Sequence, residues 1–483
     1  MFKQIFLSIM LLLLFIPVAS QAADKKPHIV VYLSDDHSMF DSSLYGEPSM
    51  PTPEMEKMAA QGIHLTHTFV ASPSCGPSRA SLMTGLMPAR NGAEGNHVQP
   101  KKGFKSLIHN IKAAGYKTAT FGKVAHQKGK DTFGFDYVDR GKSHEEMKKG
   151  ALTFINSQPK GQPLAIFIGT SNPHTPWPMK NTVDPASLRI PPSFPDTKIT
   201  RDHMAAYVQE VVDLDILLGD LRVMAKEKLG DNVLFIHSSD HGANWPFGKW
   251  TLYDYGLRVP FIATWPGHIK PGIKSDAMVN WVDLLPTVID AAGGKAEPNI
   301  DGKSFLPVLL GKTEDHRDII YSTHSGDRMD KKDRIIATNV YPSRAVRDRE
   351  WKLIHNLNPE AAFTAWPDLY RKPGRAKYWH EWARLMKTDA KAKAQLDRYF
   401  KRPEYELYHV ANDKWELTNM ANNPEQAPRL AKMKKQLVDW MISQGDQKLI
   451  LGPLRSLTEL ETWHPDYYGL HPNTGITPKK QKR

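Results

Sequence analysis

Four short apolar runs in this chain each end in a cluster of polar residues, and that repetition limits the fold more than any other feature. I-V-V-Y-L-S runs into Asp35-Asp36-His37, and T-A-T-F runs into Gly122-Lys123 and then His126. A-I-F-I-G runs into Asn172-Pro173-His174, and V-L-F-I-H-S-S runs into Asp240-His241-Gly242. Runs this short and this apolar read as buried strands, over Ile29 to Leu33, Thr118 to Phe121, Leu164 to Ile168 and Val233 to Ile236, with a further one over Phe261 to Thr264. Helical patterns lie between them. Met204, Tyr207, Val211, Leu214, Leu218 and Leu221 recur at three- and four-residue steps and predict one long amphipathic helix. Alternation of this kind predicts an α/β fold, a mainly parallel sheet sandwiched by helices. Open sheets of that type bind ligands outside the carboxyl ends of their strands. Four polar clusters on one such edge point to an assembled site.

The organisation around that core follows from composition shifts. Residues 184–199 are Pro-rich and read as a surface loop. After Ser343 the texture changes. Arg344 to Leu357 and Tyr405 to Val410 read as short strands among charged helical segments, so 344–483 is expected to be a smaller C-terminal α+β unit and 23–343 the catalytic domain. At the start, Lys3 precedes an apolar run from Ile5 to Val18 and then Ser20-Gln21-Ala22. That is the pattern of a signal peptide over 1–22, and the run is too short for a comfortable membrane anchor. An exported protein is expected, periplasmic or secreted. With 40% hydrophobic and 24% charged residues, disordered, collagen-like and polytopic membrane chains are excluded. The net charge of +12 asks for a polyanionic partner, and the export pattern turns that reading from nucleic acid toward an acidic glycan.

The acids and bases suggest what the edge would do. Asp35, Asp36 and Asp240 should converge, and three carboxylates repel unless a cation lies among them. Hard oxygen ligands favour Ca²⁺ or Mg²⁺, while His241 better suits zinc or iron. Taken singly, the Asp pair could be turn or helix-cap chemistry, and each base a solvated charge. Taken together, Arg79, Lys123 and Lys249, with His126 and His174, fit a cradle for a sulfate or phosphate ester. The chain has one cysteine, Cys75, in the loop-like S-P-S-C-G-P-S-R, so no intramolecular disulfide can form. A helix starting just after it would stabilise anions and lower the thiol pKa.

Cys75-Gly76-Pro77-Ser78-Arg79 followed by A-S-L-M-T-G resembles the signature of the type I, formylglycine-dependent sulfatases. The resemblance extends through D-D-H, G-K-x-x-H, a P-H-x-P-like segment, D-H-G, G-K-W-T-L-Y-D-Y-G-L-R-V-P and W-V-D-L-L-P-T-V-I-D-A-A-G, over roughly the whole mature chain. R-A-V-R-D-R-E-W-K-L-I-H-N-L-N looks like the branch that contains N-sulfoglucosamine sulfohydrolase. It implies an alkaline-phosphatase-like fold with a small C-terminal sheet domain. It implies conversion of Cys75 to formylglycine (3-oxoalanine) by a maturation enzyme, and one Ca²⁺ held by Asp35, Asp36, Cys75, Asp240 and His241, where many relatives carry Asn or Gln at the last position. Arg79 and Lys123 would hold sulfate, His174 or Lys249 would protonate the leaving group, and His126 would act as base. The substrate implied is a sulfated oligosaccharide or polysaccharide, with O- or N-linked sulfate left open and exo action expected. Its rim is expected at Asn96, His97, Trp177, His324 and Arg328, although Trp177 could equally pack and Arg328 could be a solvated charge. Two other readings stand beside this one: a phosphomonoester or phosphonate hydrolase on the same fold, and a non-catalytic acidic-glycan-binding protein.

Overall fold

The computed structural model describes residues 26–125, 133–141, 143–331, 334–338, 340–365, 377–452 and 454–457. The signal-peptide segment and His126 lie outside these. Among the described residues no helix is long and apolar enough to cross a membrane.

The main sheet has eight strands: β1 (His28–Ser34), β2 (Ile63–Phe69), β3 (Lys117–Gly122), β4 (Tyr137–Asp139), β5 (Leu164–Gly169), β6 (Val233–Ser239), β7 (Phe261–Thr264) and β8 (Ile273–Asn280). Their order is β4-β3-β5-β1-β6-β7-β2-β8. Alternation along β1 assigns each residue to a face. Ile29, Val31 and Leu33 enter one core, while Val30 and Tyr32 enter the other. The long helix, Lys198–Leu229, buries Met204, Tyr207, Val211, Leu214, Leu218 and Leu221 as its periodicity predicts. Tyr32 donates its hydroxyl hydrogen to Leu214 O at 3.0 Å, fixing the helix against β1.

The sheet is parallel as expected except at β7, which runs antiparallel to both β6 and β2. The cause is local. No crossover helix separates β6 from β7; the chain loops at the site edge through the four-residue helix Asp254–Leu257 and turns back. β2 and β8 have weak sequence signals, because His64, Thr66 and His67 interrupt the first and Lys274 and Asp276 the second.

The register places the site. Leu33 pairs Gly169, Ser34 pairs Ser239 and Gly122 pairs Gly169, so β3, β5, β1 and β6 end level with one another. Adjacent strands lie about 4.8 Å apart, so the four polar clusters span roughly 14 Å of one edge. Gly122 makes the turn out of β3 possible: its φ is +69°, and a Cβ there would stand 2.2 Å from Gly169 O.

Further strands follow: β9 (Ile320–His324), β10 (Asp327–Lys331), β11 (Arg334–Thr338), β12 (Ser343–Arg347), β13 (Lys352–Asn356), β14 (Ala361–Ala362), β15 (Tyr405–Tyr408) and β16 (Arg455–Ser456). A second, antiparallel sheet has the order β15-β13-β12-β9 and is covered by the helix Ala427–Ser443. Its edge strand β9 comes from before residue 344, because Tyr321 pairs Val346 in the ladder. The segment read as one strand over Arg344 to Leu357 is a hairpin of β12 and β13, turned at Asp348, which accepts the Glu350 and Trp351 amide hydrogens.

A buried ion cluster joins the two sheets. Asp254 accepts two hydrogen bonds from Arg347, at 2.8 and 2.7 Å, and one from Lys352 Nζ at 2.7 Å. Glu416 pairs with Lys352 at 2.5 Å and accepts the Asp254 amide hydrogen at 2.6 Å. Burial opposes ionisation of Asp254, yet Arg347, Lys352 and Arg258 hold its carboxyl far below the usual range. Removing one partner of such a cluster leaves the others charged in a dry interior. Asp254→Ala should therefore lower unfolding free energy by about 3–5 kcal/mol. Guanidinium denaturation checks this, and a loss under about 1 kcal/mol is the result that contradicts it.

Candidate active site

Cys75 occupies the first turn of the helix Cys75–Thr84, not the loop before it. Gly76 lets that turn sit against its neighbour, since a Cβ there would lie 2.0 Å from Asn96 O. The helix points its first residue at the level ends of the four strands. Asp35 and Asp36 leave β1, and Asp36 adopts φ +70°, a left-handed conformation that Asp tolerates better than most residues. Its amide donates to Asp240 Oδ1 at 3.1 Å, so the two acidic strand ends are tied directly.

The donor atoms converge. One oxygen each from Asp35 and Asp36, Cys75 Sγ and a His241 ring nitrogen all lie within 4.8 Å of one another, and all four residues are buried. His241 Nδ1 is 2.9 Å from Gly242 O and must donate there. Its Nε2 lies 3.2 Å from Asp36 Oδ1, 3.5 Å from Asp240 Oδ2 and 3.2 Å from Cys75 Sγ. One sulfur, one ring nitrogen and two carboxylate oxygens converging this closely are a donor set that fits a divalent ion. Asp240, expected as a further ligand, stands outside that group of four. Its Oδ1 accepts from Asp36, and its Oδ2 accepts from Arg79 Nε at 2.9 Å.

Three cations balance the three carboxylates. Arg79 spans Asp240 and Asp35 (3.4 Å) and donates to the carbonyls of Lys123 and Val124. Lys123 pairs with Asp35 and lies 3.7 Å from Cys75 Sγ. Lys249 reaches Asp36 at 2.8 and 3.0 Å and Cys75 Sγ at 3.4 Å. It is delivered by a tight loop in which Phe247 and Trp250 both take positive φ, 62° and 68°, a strained backbone for such side chains. Burial works against the Asp35 carboxylate, but Lys123, His174, Arg79 and Lys249 outweigh it and hold its pKa well below the usual range. Asp36 is lowered in the same way, with Lys249 and His174 opposing burial.

The thiol behaves differently from the sequence-based expectation. Burial pushes the Cys75 pKa far up, beyond what Lys123 and Lys249 can offset. At 1% exposure the loss of hydration outweighs the helix N-terminus. As a thiol, Cys75 would stay protonated and weakly nucleophilic.

Of the expected catalytic side chains described, only Lys123 and His174 reach solvent appreciably, at 25% and 35% exposure. His174 Nε2 stands 3.8 Å from Asp36 Oδ2, and its Nδ1 donates to Thr175 O at 2.6 Å. Burial lowers the His174 pKa, against the pull of Asp36.

The expected rim residues separate into different places. Asn96 Oδ1 accepts the Gly76 amide hydrogen at 2.9 Å, beside Cys75. His97, a quarter exposed, binds Asp327 through Nδ1. The Asn96 amide donates to Gly326 O at 3.2 Å, so the two loops are laced together at the mouth. His324 is buried, and its carbonyl accepts from Arg344. Trp177 is buried too, stacked on Trp245 with ring centroids 4.8 Å apart and donating Nε1–H to Pro173 O. Arg328 lies on β10, and its side chain is outside the description. Asp327 escaped the sequence reading although the T-H-S-G-D-R-M segment contains it; its one signal was a carboxylate beside a Gly turn.

Comparison with known proteins places these features in context. Residues 27–294 match the family model described as Sulfatase, and residues 240–398 match N-sulphoglucosamine sulphohydrolase, C-terminal. The chain is 30% identical to an ulvan-active sulfatase of Formosa agariphila, over 88% of this chain and 82% of that protein. It is 25% identical to the human N-sulphoglucosamine sulphohydrolase, over 87% and 91%. A protein solved with its substrate D-glucosamine-2-N,6-O-disulfate shares the fold, with TM-score 0.65 and 18% identity over 88% of this chain and 99% of that one.

The cation fit can be tested without turnover. Added Ca²⁺ should raise the melting temperature of chelator-treated protein by several degrees, as mass action requires of a ligand that binds only the folded state. Asp36→Asn should abolish that shift. Equal shifts in both proteins, or none in either, would show the cluster to be an internal ion network only.

Proposed function

The chain belongs to the sulfatase family, and from that premise we propose that it is an exported, exo-acting enzyme that removes sulfate from a sulfated glycan, using a formylglycine made from Cys75 and one bound Ca²⁺. The observation that carries this reading is the setting of Cys75: a buried sulfur, its pKa pushed up by burial, ringed by two ammonium groups, an imidazole and carboxylates. A site that suppresses its only cysteine while surrounding it with charge has little use for the thiol itself. A maturation enzyme is required by the same reading. The polymer partner suits the net charge of +12.

Asp35, Asp36, Asp240, His241 and the modified Cys75 would hold the cation. When bound, the ion would lower the charge cost of forming an oxygen nucleophile on the oxidised side chain, chemistry the thiol alone would not offer. The remaining chemistry belongs to the chain's own residues. A sulfate ester is anionic and repels nucleophiles, and Lys123, Arg79 and Lys249 offset that charge. Lys123, being the exposed cation of the three, meets the incoming sulfate first. His174 holds its Nδ1 proton against Thr175 O, so the proton it can give to a leaving oxygen or nitrogen sits on Nε2. His126 is assigned the base role by its place after β3. A nucleophile buried this deeply favours a terminal sugar over the middle of a chain. At the rim, His97 is proposed to meet the sugar, with Asp327 fixing its ring. Asn96, Trp177 and His324 are proposed to shape the loops beneath it, with Arg328 on the adjoining strand.

Four measurements check this. Active protein should hydrolyse an aryl sulfate in preference to the matching aryl phosphate, and its Cys75 peptide should react with a hydrazide and not with iodoacetamide. Cys75→Ala should leave essentially no turnover; full activity with an intact thiol overturns the mechanism. His97→Ala should lower kcat/KM about tenfold or more on a sulfated oligosaccharide and hardly at all on the aryl ester, which lacks the sugar hydroxyls. Equal losses would place His97 in the sulfate subsite.

A further inference from the structure

The loop that carries His174 is held from two sides. Its downstream half is fastened to the core: Trp177 Nε1–H donates to Pro173 O at 2.8 Å, and Asn244 Nδ2 donates to Thr175 Oγ1 at 3.1 Å. Its upstream half hangs on Asn172. The Asn172 carbonyl accepts the Asp35 amide hydrogen at 3.0 Å, so this residue joins the acid loop to the carboxylate cluster. The Asn172 side chain is gripped at both ends. Its Oδ1 accepts from Thr170 Oγ1 at 2.9 Å and from His144 Nε2 at 3.1 Å. Its Nδ2 donates to Glu210 Oε2 at 2.5 Å, the orientation of the amide that suits the ionised carboxylate.

Resting on the sulfatase reading, we propose that Glu210 is a positioning residue that acts through Asn172 to aim His174 at the leaving group. Glu210 sits on the long helix Lys198–Leu229, far in sequence from the loop it holds. Its position is unfavourable in itself: burial and the neighbouring Asp213 push its carboxyl up to about 7. The bond to Asn172 is what that half-buried carboxylate does in the fold. His174 needs such an anchor, because Thr175 O occupies its Nδ1 and leaves Nε2 as the atom that can pass a proton, and among the described residues the nearest acid to Nε2, Asp36 Oδ2, stands 3.8 Å away, beyond hydrogen-bond reach. A proton donor misplaced by an ångström loses much of its effect.

The test is a series of aryl sulfates whose phenols differ in acidity. Poor leaving groups need the proton from His174, and acidic phenols leave without it. Glu210→Ala should slow the poor leaving groups on the order of tenfold and the most acidic phenol less than about twofold, steepening the leaving-group dependence. Glu210→Gln keeps an oxygen that accepts from Asn172 and should restore the wild-type slope. In a His174→Ala background, adding Glu210→Ala should cost less than about twofold, since one pathway is lost only once. A uniform loss along the series, or full additivity with His174→Ala, overturns the proposal and leaves Glu210 as a packing residue. Failure of the wild-type protein to turn over any aryl sulfate would instead count against the sulfatase reading itself, a result separable from the slope.

Discussion

Everything in this structure answers to one electrostatic requirement: three carboxylates, an imidazole and a cysteine are buried at one point. Each would be expensive there alone. Arg79, Lys123 and Lys249 arrive from three different parts of the chain to meet them, and Asp35 and Asp36 stay ionised as a result. Such a cluster can form only if the elements carrying it are placed independently of it. The level ends of β3, β5, β1 and β6 provide that placement, and apolar packing on both faces of the sheet provides the stability.

The core strands were legible in the sequence because each is a short continuous apolar run. β7 shows the limit of that signal. Its residues declare a strand over Phe261 to Thr264, but direction depends on how the chain returns from β6, which no local pattern records. The buried polar cluster was legible for a related reason: polar residues directly after an apolar run have few places to go except the sheet edge. The pKa of Cys75 was not legible. The helix N-terminus is written in the sequence, whereas the depth of burial that overrides it is a property of the assembled fold. Trp177 and His324 illustrate the same gap, since residues near a site in sequence can still turn inward.

The small sheet contributes to the site from a distance. The segment that supplies Lys249 continues within a few residues to Asp254, and Asp254 is pinned by Arg347 and Lys352 of the hairpin β12–β13. The strained loop bearing Lys249 is thus anchored at its far end by another sheet. At the mouth, Arg344 binds Glu94, Asp446 and the His324 carbonyl, so the second sheet also sets the loops around Asn96 and His97. The two sheets function as one scaffold, because Ala345, Ile354 and Tyr408 on one face of the small sheet pack into the same core as β1.

The near-complete enclosure of Cys75 also sets an order of events in time. Helix, strand ends and the Lys249 loop close over the sulfur, leaving it 1% exposed. A catalyst as large as a protein cannot reach that atom once the strands have come together. If a maturation enzyme oxidises Cys75, it must do so on a chain still open at this segment, in competition with the chain's own folding. The yield of competent protein would then depend on a race between two rates, and a faster-folding variant could be more stable and yet hold less activated nucleophile.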